Sequence, residues 1–204
     1  LDPDVDRRLT LARRLYGIEQ YTAALIQLKK AFRSREPEPE ERLFLAETLI
    51  QLHMYEEALK QVENCIEADS GLSGAKVEKA NLLYLLNRFI ETKRWIEEIL
   101  EEFPGHAPLL NLLGNAEFSL GNWSDAARRY EEALVVEEEM PIFALNAARS
   151  HDYAEEYDRA VELYRRAAGA FFRQEAYEEL LPIRSRMAEL APDDAYMRAV
   201  EGKL

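Results

Sequence analysis

Apolar positions along this chain recur at helical spacing, and the pattern repeats every 34 residues. Stepping by 34 from Ala58 lands on Thr92, Ala126 and Ala160, and one step back lands on Ala24. Three residues earlier stands an aromatic column, Tyr21, Tyr55, Phe89, Trp123 and Tyr157. Four residues later the column is Leu28, Val62, Ile96, Tyr130 and Tyr164, and three further on it is Ala31, Cys65, Ile99, Ala133 and Ala167. A small residue recurs earlier as Ala12, Ala46, Ala80, Gly114 and Ala148. A fixed period of this length marks a stacked-repeat architecture, in which no repeat can bury its apolar face alone.

Each repeat carries two amphipathic helical patterns with a breaker between them. Leu110, Leu113, Gly114 and Glu117 fall on one helix of the fourth repeat, Trp123, Ala126, Tyr130 and Ala133 on the next, and Gly121-Asn122 between. The small columns are expected where two helix backbones cross closely. The aromatic column is expected to fill the space beside them. The repeats read as 5–38, 39–72, 73–106, 107–140 and 141–174, within a single domain spanning 1–204. Residues 175–204 read as an irregular sixth repeat or a cap. In it Glu175–Leu190 is a helix that Pro182 should kink or divide, and Ala195–Leu204 is a last short helix after the Ala191-Pro192-Asp193 turn.

These columns resemble the tetratricopeptide repeat family over about 170 of the 204 residues. Repeat 107–140 matches best, with Leu110 in the Trp position, Leu113-Gly114, then Ala126, Tyr130 and Ala133. The closing Pro survives as Pro104, while Ser70, Glu138 and Phe172 replace it elsewhere. The resemblance implies an all-α, right-handed solenoid of about five helix-turn-helix repeats plus C-terminal capping helices. It also implies a protein-interaction scaffold that takes a peptide or protein segment in its concave groove. The alternative is a structural module that self-associates through its ends and assembles a larger complex.

In this family the first helix of each repeat lines the groove. Carried over, its columns give Leu9, Arg13 and Tyr16, then Leu43, Glu47 and Ile50, then Val77, Asn81 and Tyr84. The fourth and fifth repeats give Asn111, Asn115 and Phe118, then Leu145, Asn146, Arg149 and Tyr153. An amide side chain both donates and accepts, so the asparagines could hold the backbone of an extended peptide of any sequence. Asn81 and Asn115, one period apart, are expected to point the same way from adjacent repeats. Tyr16, Tyr84, Phe118 and Tyr153 would add apolar contact. A subgroup of the family clamps the C-terminal carboxylates of chaperone tails between Lys, Arg and two Asn. Asn115 and Asn146 match the two Asn, but Asn111, Ala176 and Leu180 stand in the basic columns, so that ligand is not expected.

Composition narrows the partners. The formal net charge is −13, from 39 acidic and 26 basic residues, which opposes nucleic acid and anionic membrane surfaces. The nearest approach to a basic run, Arg7, Arg8, Arg13 and Arg14, reads as a solvated face, and the acidic runs 36–41 and 137–139 as solvated turns. No apolar run is long enough to insert in a membrane. A protein or peptide partner is expected, with a homo-oligomer as the other possibility. His53, His106 and His151 fall at unrelated places in the repeat and read as solvated or hydrogen-bonded, not as metal ligands. No Gly-rich phosphate loop is present, so neither cofactor nor enzymatic activity is expected. Cys65, the single cysteine, stands in a small apolar column and is expected to be buried and inert. One thiol leaves the compartment open, with cytoplasm favoured over periplasm. The opening Leu1-Asp2-Pro3-Asp4 reads like a junction between helices, so a piece of a longer chain is expected.

Overall fold

A computed structural model describes residues 3–33 and 35–194. Eleven α-helices and one 3-10 turn are present among them, with no strand. The expected last helix, Ala195–Leu204, lies outside the described residues. The helices are α1 Pro3–Gly17, α2 Tyr21–Ala31, α3 Pro39–Gln51, α4 Tyr55–Ala68, α5 Ser73–Leu85 and α6 Phe89–Leu100. They continue as α7 Ala107–Ser119, α8 Trp123–Val136, α9 Pro141–Tyr153, α10 Tyr157–Arg173 and α11 Leu180–Leu190.

The chain divides into two compact halves, Leu1–Arg88 and Phe89–Leu204. In the first, α1 packs on α2, α2 on α3, α3 on α4 and α4 on α5. In the second the same sequential packing runs from α6 through α11. Each helix therefore buries its apolar stripe mainly against its neighbours in the chain.

Four of the five sequence columns form the core. Ala24, Ala58, Thr92, Ala126 and Ala160 are fully buried, as are Ala12, Ala46, Ala80 and Ala148. The columns headed by Leu28 and Ala31 are buried at every repeat. The aromatic column behaves differently from expectation. Trp123 is 39% exposed and Tyr157 46%, because this column starts the second helix of each repeat and lies at its rim. Beside Gly114 the space is filled instead by the buried ring of Tyr130.

Cys65 is buried, and its thiol donates to the Pro39 carbonyl at 2.9 Å. Burial pushes its pKa up. The native protein should therefore resist alkylating thiol reagents until denaturant is added. Rapid labelling of the folded chain would contradict this.

Every first helix ends in the same way. Glu19, His53, Asn87, Gly121 and Glu155 have φ between 57° and 81° and stand 34 residues apart. The residue after each bonds back five residues, as in Gln20 N–H to the Leu15 carbonyl at 2.9 Å and Asn122 N–H to the Glu117 carbonyl at 3.0 Å. This is a helix closure through one left-handed residue. Glu175 repeats it at the end of α10, with Ala176 N–H on the Phe171 carbonyl at 3.0 Å. The expected helix Glu175–Leu190 therefore begins only at Leu180, and Pro182 does not divide it. A 3-10 turn, Tyr177–Glu179, precedes α11, and Pro182 sits in the first turn of α11, where its missing N–H costs nothing.

The acidic run near residue 40 is more than a solvated turn. Glu41 pairs bidentately with Arg35 at 2.7 and 2.5 Å and accepts from Glu38 N–H at 2.8 Å, closing a capping box on α3. The Arg35 hydrogen bond holds the Glu41 carboxyl below its ordinary pKa.

Candidate peptide-binding groove

In the first half, the first helices α1, α3 and α5 bring several of the expected residues together. Tyr16 packs edge-on against Phe44 with ring centroids 5.4 Å apart, and the Arg13 guanidinium lies 5.0 Å over the same ring. Tyr16 also hydrogen-bonds Gln51 and lies in the field of Glu47 and Glu78. Burial pushes the Glu78 carboxyl up in pKa, and Glu47 adds to that shift. A hydrogen bond between Asn81 and Glu78 acts in the opposite direction. Asn81 is thus engaged by a neighbour on its own helix. Tyr84 is half-buried on α5.

In the second half the corresponding face belongs to α7 and α9. The Asn146 amide donates to Asn111 Oδ1 at 3.1 Å, linking the two helices. Asn115 is tied from behind, since the buried Tyr130 hydroxyl donates to its Oδ1 at 2.7 Å. Asn81 and Asn115 therefore have different environments, despite their shared column. Phe118 meets Tyr153 edge-on at 5.1 Å, and Tyr153 meets Trp123 at 5.5 Å. Leu145 is 1% exposed and belongs to the core. Tyr153 is 57% exposed, and Arg149 is also open.

Beyond them lies a cavity of about 350 Å³, lined by Leu145, Arg149, Asp152, Tyr153, Tyr164 and Arg186 among others. Its wall is locked. Arg186 grips Asp152 through two 2.7 Å bonds and also binds Glu189, while the Tyr164 hydroxyl donates to Asp152 at 3.2 Å. The Arg186 contact holds the Asp152 carboxyl below its usual range. Burial, with Asp152 nearby, pushes Tyr164 up. Asp152 and Arg186 stand one period apart (186 − 152 = 34), so opposite charges in one column were the available signal for this pair. Glu78 and Gln51 carried no such signal.

The histidines take three separate roles. His53 bonds the Tyr55 hydroxyl at 2.7 Å, and His106 caps α7 by accepting from Leu109 N–H at 3.2 Å. His151 is buried and bonds Glu156 at 2.5 Å. Among the described residues no group of His, Cys, Asp and Glu is arranged to hold a metal ion. No described helix is long and apolar enough to cross a membrane.

A family model for the tetratricopeptide repeat matches residues 111–180, which covers α8, α9 and α10 with parts of the flanking helices. Over that stretch the chain carries tetratricopeptide repeats. It is 31% identical over 96 residues to a TPR repeat-containing protein of Treponema pallidum (strain Nichols), a stretch that is 47% of this chain and 12% of that protein. The chain thus matches about an eighth of that relative's length. Among solved structures it is similar to MamA, residues 41 to the end, from Desulfovibrio magneticus RS-1. That likeness has a TM-score of 0.78 at 16% identity and covers 85% of this chain and 98% of the other. It is also similar to a thermophilic TPR protein of Thermus thermophilus, with a TM-score of 0.58, 20% identity and coverage of 98% and 97%. At these identities the structural likenesses establish the fold, an all-α helical repeat.

Proposed function

We propose that this tetratricopeptide chain is a non-enzymatic scaffold that holds an extended segment of a partner protein against the α7–α9 face. The observation that carries the reading is the Asn111–Asn146 pair. The bond between them uses one Asn146 donor and the Asn111 acceptor, leaving Asn111 Nδ2 and Asn146 Oδ1 without partners among the described residues. One donor and one acceptor on a half-buried face match the needs of a peptide backbone, which offers both groups at every residue. Phe118 and Tyr153 flank them with apolar surface.

The test starts from a displayed library of random peptides selected on the full chain. Asn111→Ala combined with Asn146→Ala should weaken a selected peptide by about tenfold or more, at about 1 kcal/mol per lost hydrogen bond. Removing both members of the pair together leaves no buried group orphaned, so the melting temperature should hardly move. Unchanged affinity would remove the groove reading. Sedimentation across a concentration range would then test self-association through the ends of the stack.

A further inference from the structure

The chain carries 39 acidic residues, yet the α7–α9 face has almost none to offer. The only acid on α7 is Glu117, which is 1% exposed and paired with Lys93 at 2.7 Å. The only acid on α9 is Asp152, held bidentately by Arg186. Glu189 on α11 is likewise bound to Arg186. Arg149 stands apart from these pairs. It is exposed, it lines the cavity beside Tyr153, and it makes no hydrogen bond or ion pair among the described residues. Its five N–H donors are therefore available to a ligand.

We infer that this face selects a partner segment bearing an acidic side chain, which Arg149 binds at the cavity mouth while an adjacent apolar residue lies against Tyr153 and Phe118. The inference rests on the groove reading and names the ligand class for it. The group bound is the side chain of an internal Asp or Glu. The supporting feature is charge complementarity, since every carboxylate on α7 and α9 is already neutralised by its own cation. A guanidinium can bind a carboxylate through two parallel hydrogen bonds, which fixes its orientation as well as its charge. The apolar half of the ligand has a place because Tyr153 is held by Phe118 and Trp123 and presents its ring without further ordering.

The peptide library decides it. Peptides selected on the full wild-type chain should be enriched in Asp or Glu next to an aromatic or aliphatic residue. The enrichment should vanish when selection is repeated on Arg149→Glu. The leading peptide, synthesised with an amidated C-terminus, should bind wild type with an affinity that falls as salt rises, and should bind Arg149→Glu about tenfold or more weakly. Arg149→Lys should keep part of that affinity. Selected peptides without acidic enrichment, or with enrichment that survives Arg149→Glu, would overturn the inference. If such peptides still lost affinity to the Asn111 and Asn146 changes, the groove reading would stand alone. Binding that required a free C-terminal carboxylate would assign the site to chain ends and also overturn the internal side chain. Selected peptides indifferent to all of these changes would remove both readings.

Discussion

Lys93→Met should destabilise the protein by about 2–3 kcal/mol at neutral pH. The cause is Glu117 on α7, a residue only 1% exposed. Burial alone would push that carboxyl up in pKa. Hydrogen bonds from Lys93 and Asn122, both at 2.7 Å, outweigh the burial and hold it below its ordinary value. Losing Lys93 leaves a buried charge with one amide partner. The effect falls short of the roughly 3–5 kcal/mol of a wholly buried pair, because the Lys93 side chain keeps 34% exposure to water. The pH dependence identifies the mechanism. In wild type a depressed carboxyl gives stability that is present above the unfolded pKa and lost as pH falls through the folded one. In the variant burial dominates and the carboxyl is raised, so acid relieves the penalty by protonating it. Urea denaturation at about pH 7 and about pH 4 should show the two proteins converging in acid. A gap of constant size would mean that Lys93 acts by packing alone.

Gly114→Ala should destabilise by about 2 kcal/mol, although alanine is the better helix former. A Cβ at Gly114 would lie 2.6, 2.8 and 2.9 Å from three atoms of the Tyr130 ring. The ring cannot swing aside freely, since its hydroxyl is anchored to Asn115 and its body is buried. Gly74 provides the control. It lies in α5, where an added Cβ meets nothing within 4 Å, so Gly74→Ala should be neutral or stabilise by up to about 1 kcal/mol. One chemical change would thus act with opposite signs at two helical glycines. Thermal denaturation of both variants measures it. A Gly114→Ala protein as stable as wild type would show that α7 and α8 can separate at little cost.

These two sites differ in how visible they were in the sequence. Gly114 belongs to a small column with Ala12, Ala46, Ala80 and Ala148, and close helix crossing follows from such a column directly. Glu117 was legible only as a residue on the same helical face as Leu110, Leu113 and Gly114. Nothing along the chain connects it to Lys93, because that contact depends on how α6 packs on α7. The helices themselves were readable because period and amphipathic spacing are local properties. The groove was readable only as positions. Its asparagines share columns, but their hydrogen-bond partners come from different elements, Glu78 for Asn81, Tyr130 for Asn115 and Asn111 for Asn146. The aromatic column misled for a related reason. Recurrence shows that Trp123 and Tyr157 occupy equivalent sites, yet it does not say whether those sites face core or rim.

The left-handed residue that closes each first helix has a consequence for length. Four different residue types occupy it, Glu, His, Asn and Gly, so its backbone conformation recurs without a fixed side chain. The turn is set by main-chain bonds, and three residues separate the paired helices each time, at 18–20, 52–54, 86–88, 120–122 and 154–156. One residue added within a helix would rotate everything beyond it by about 100° about the helix axis. The buried column would then point to solvent, and every later repeat would meet its neighbour with the wrong face. Substitution at these corners leaves the register of the helices untouched, whereas an insertion within a helix does not, which fits repeats that differ in sequence and keep one period.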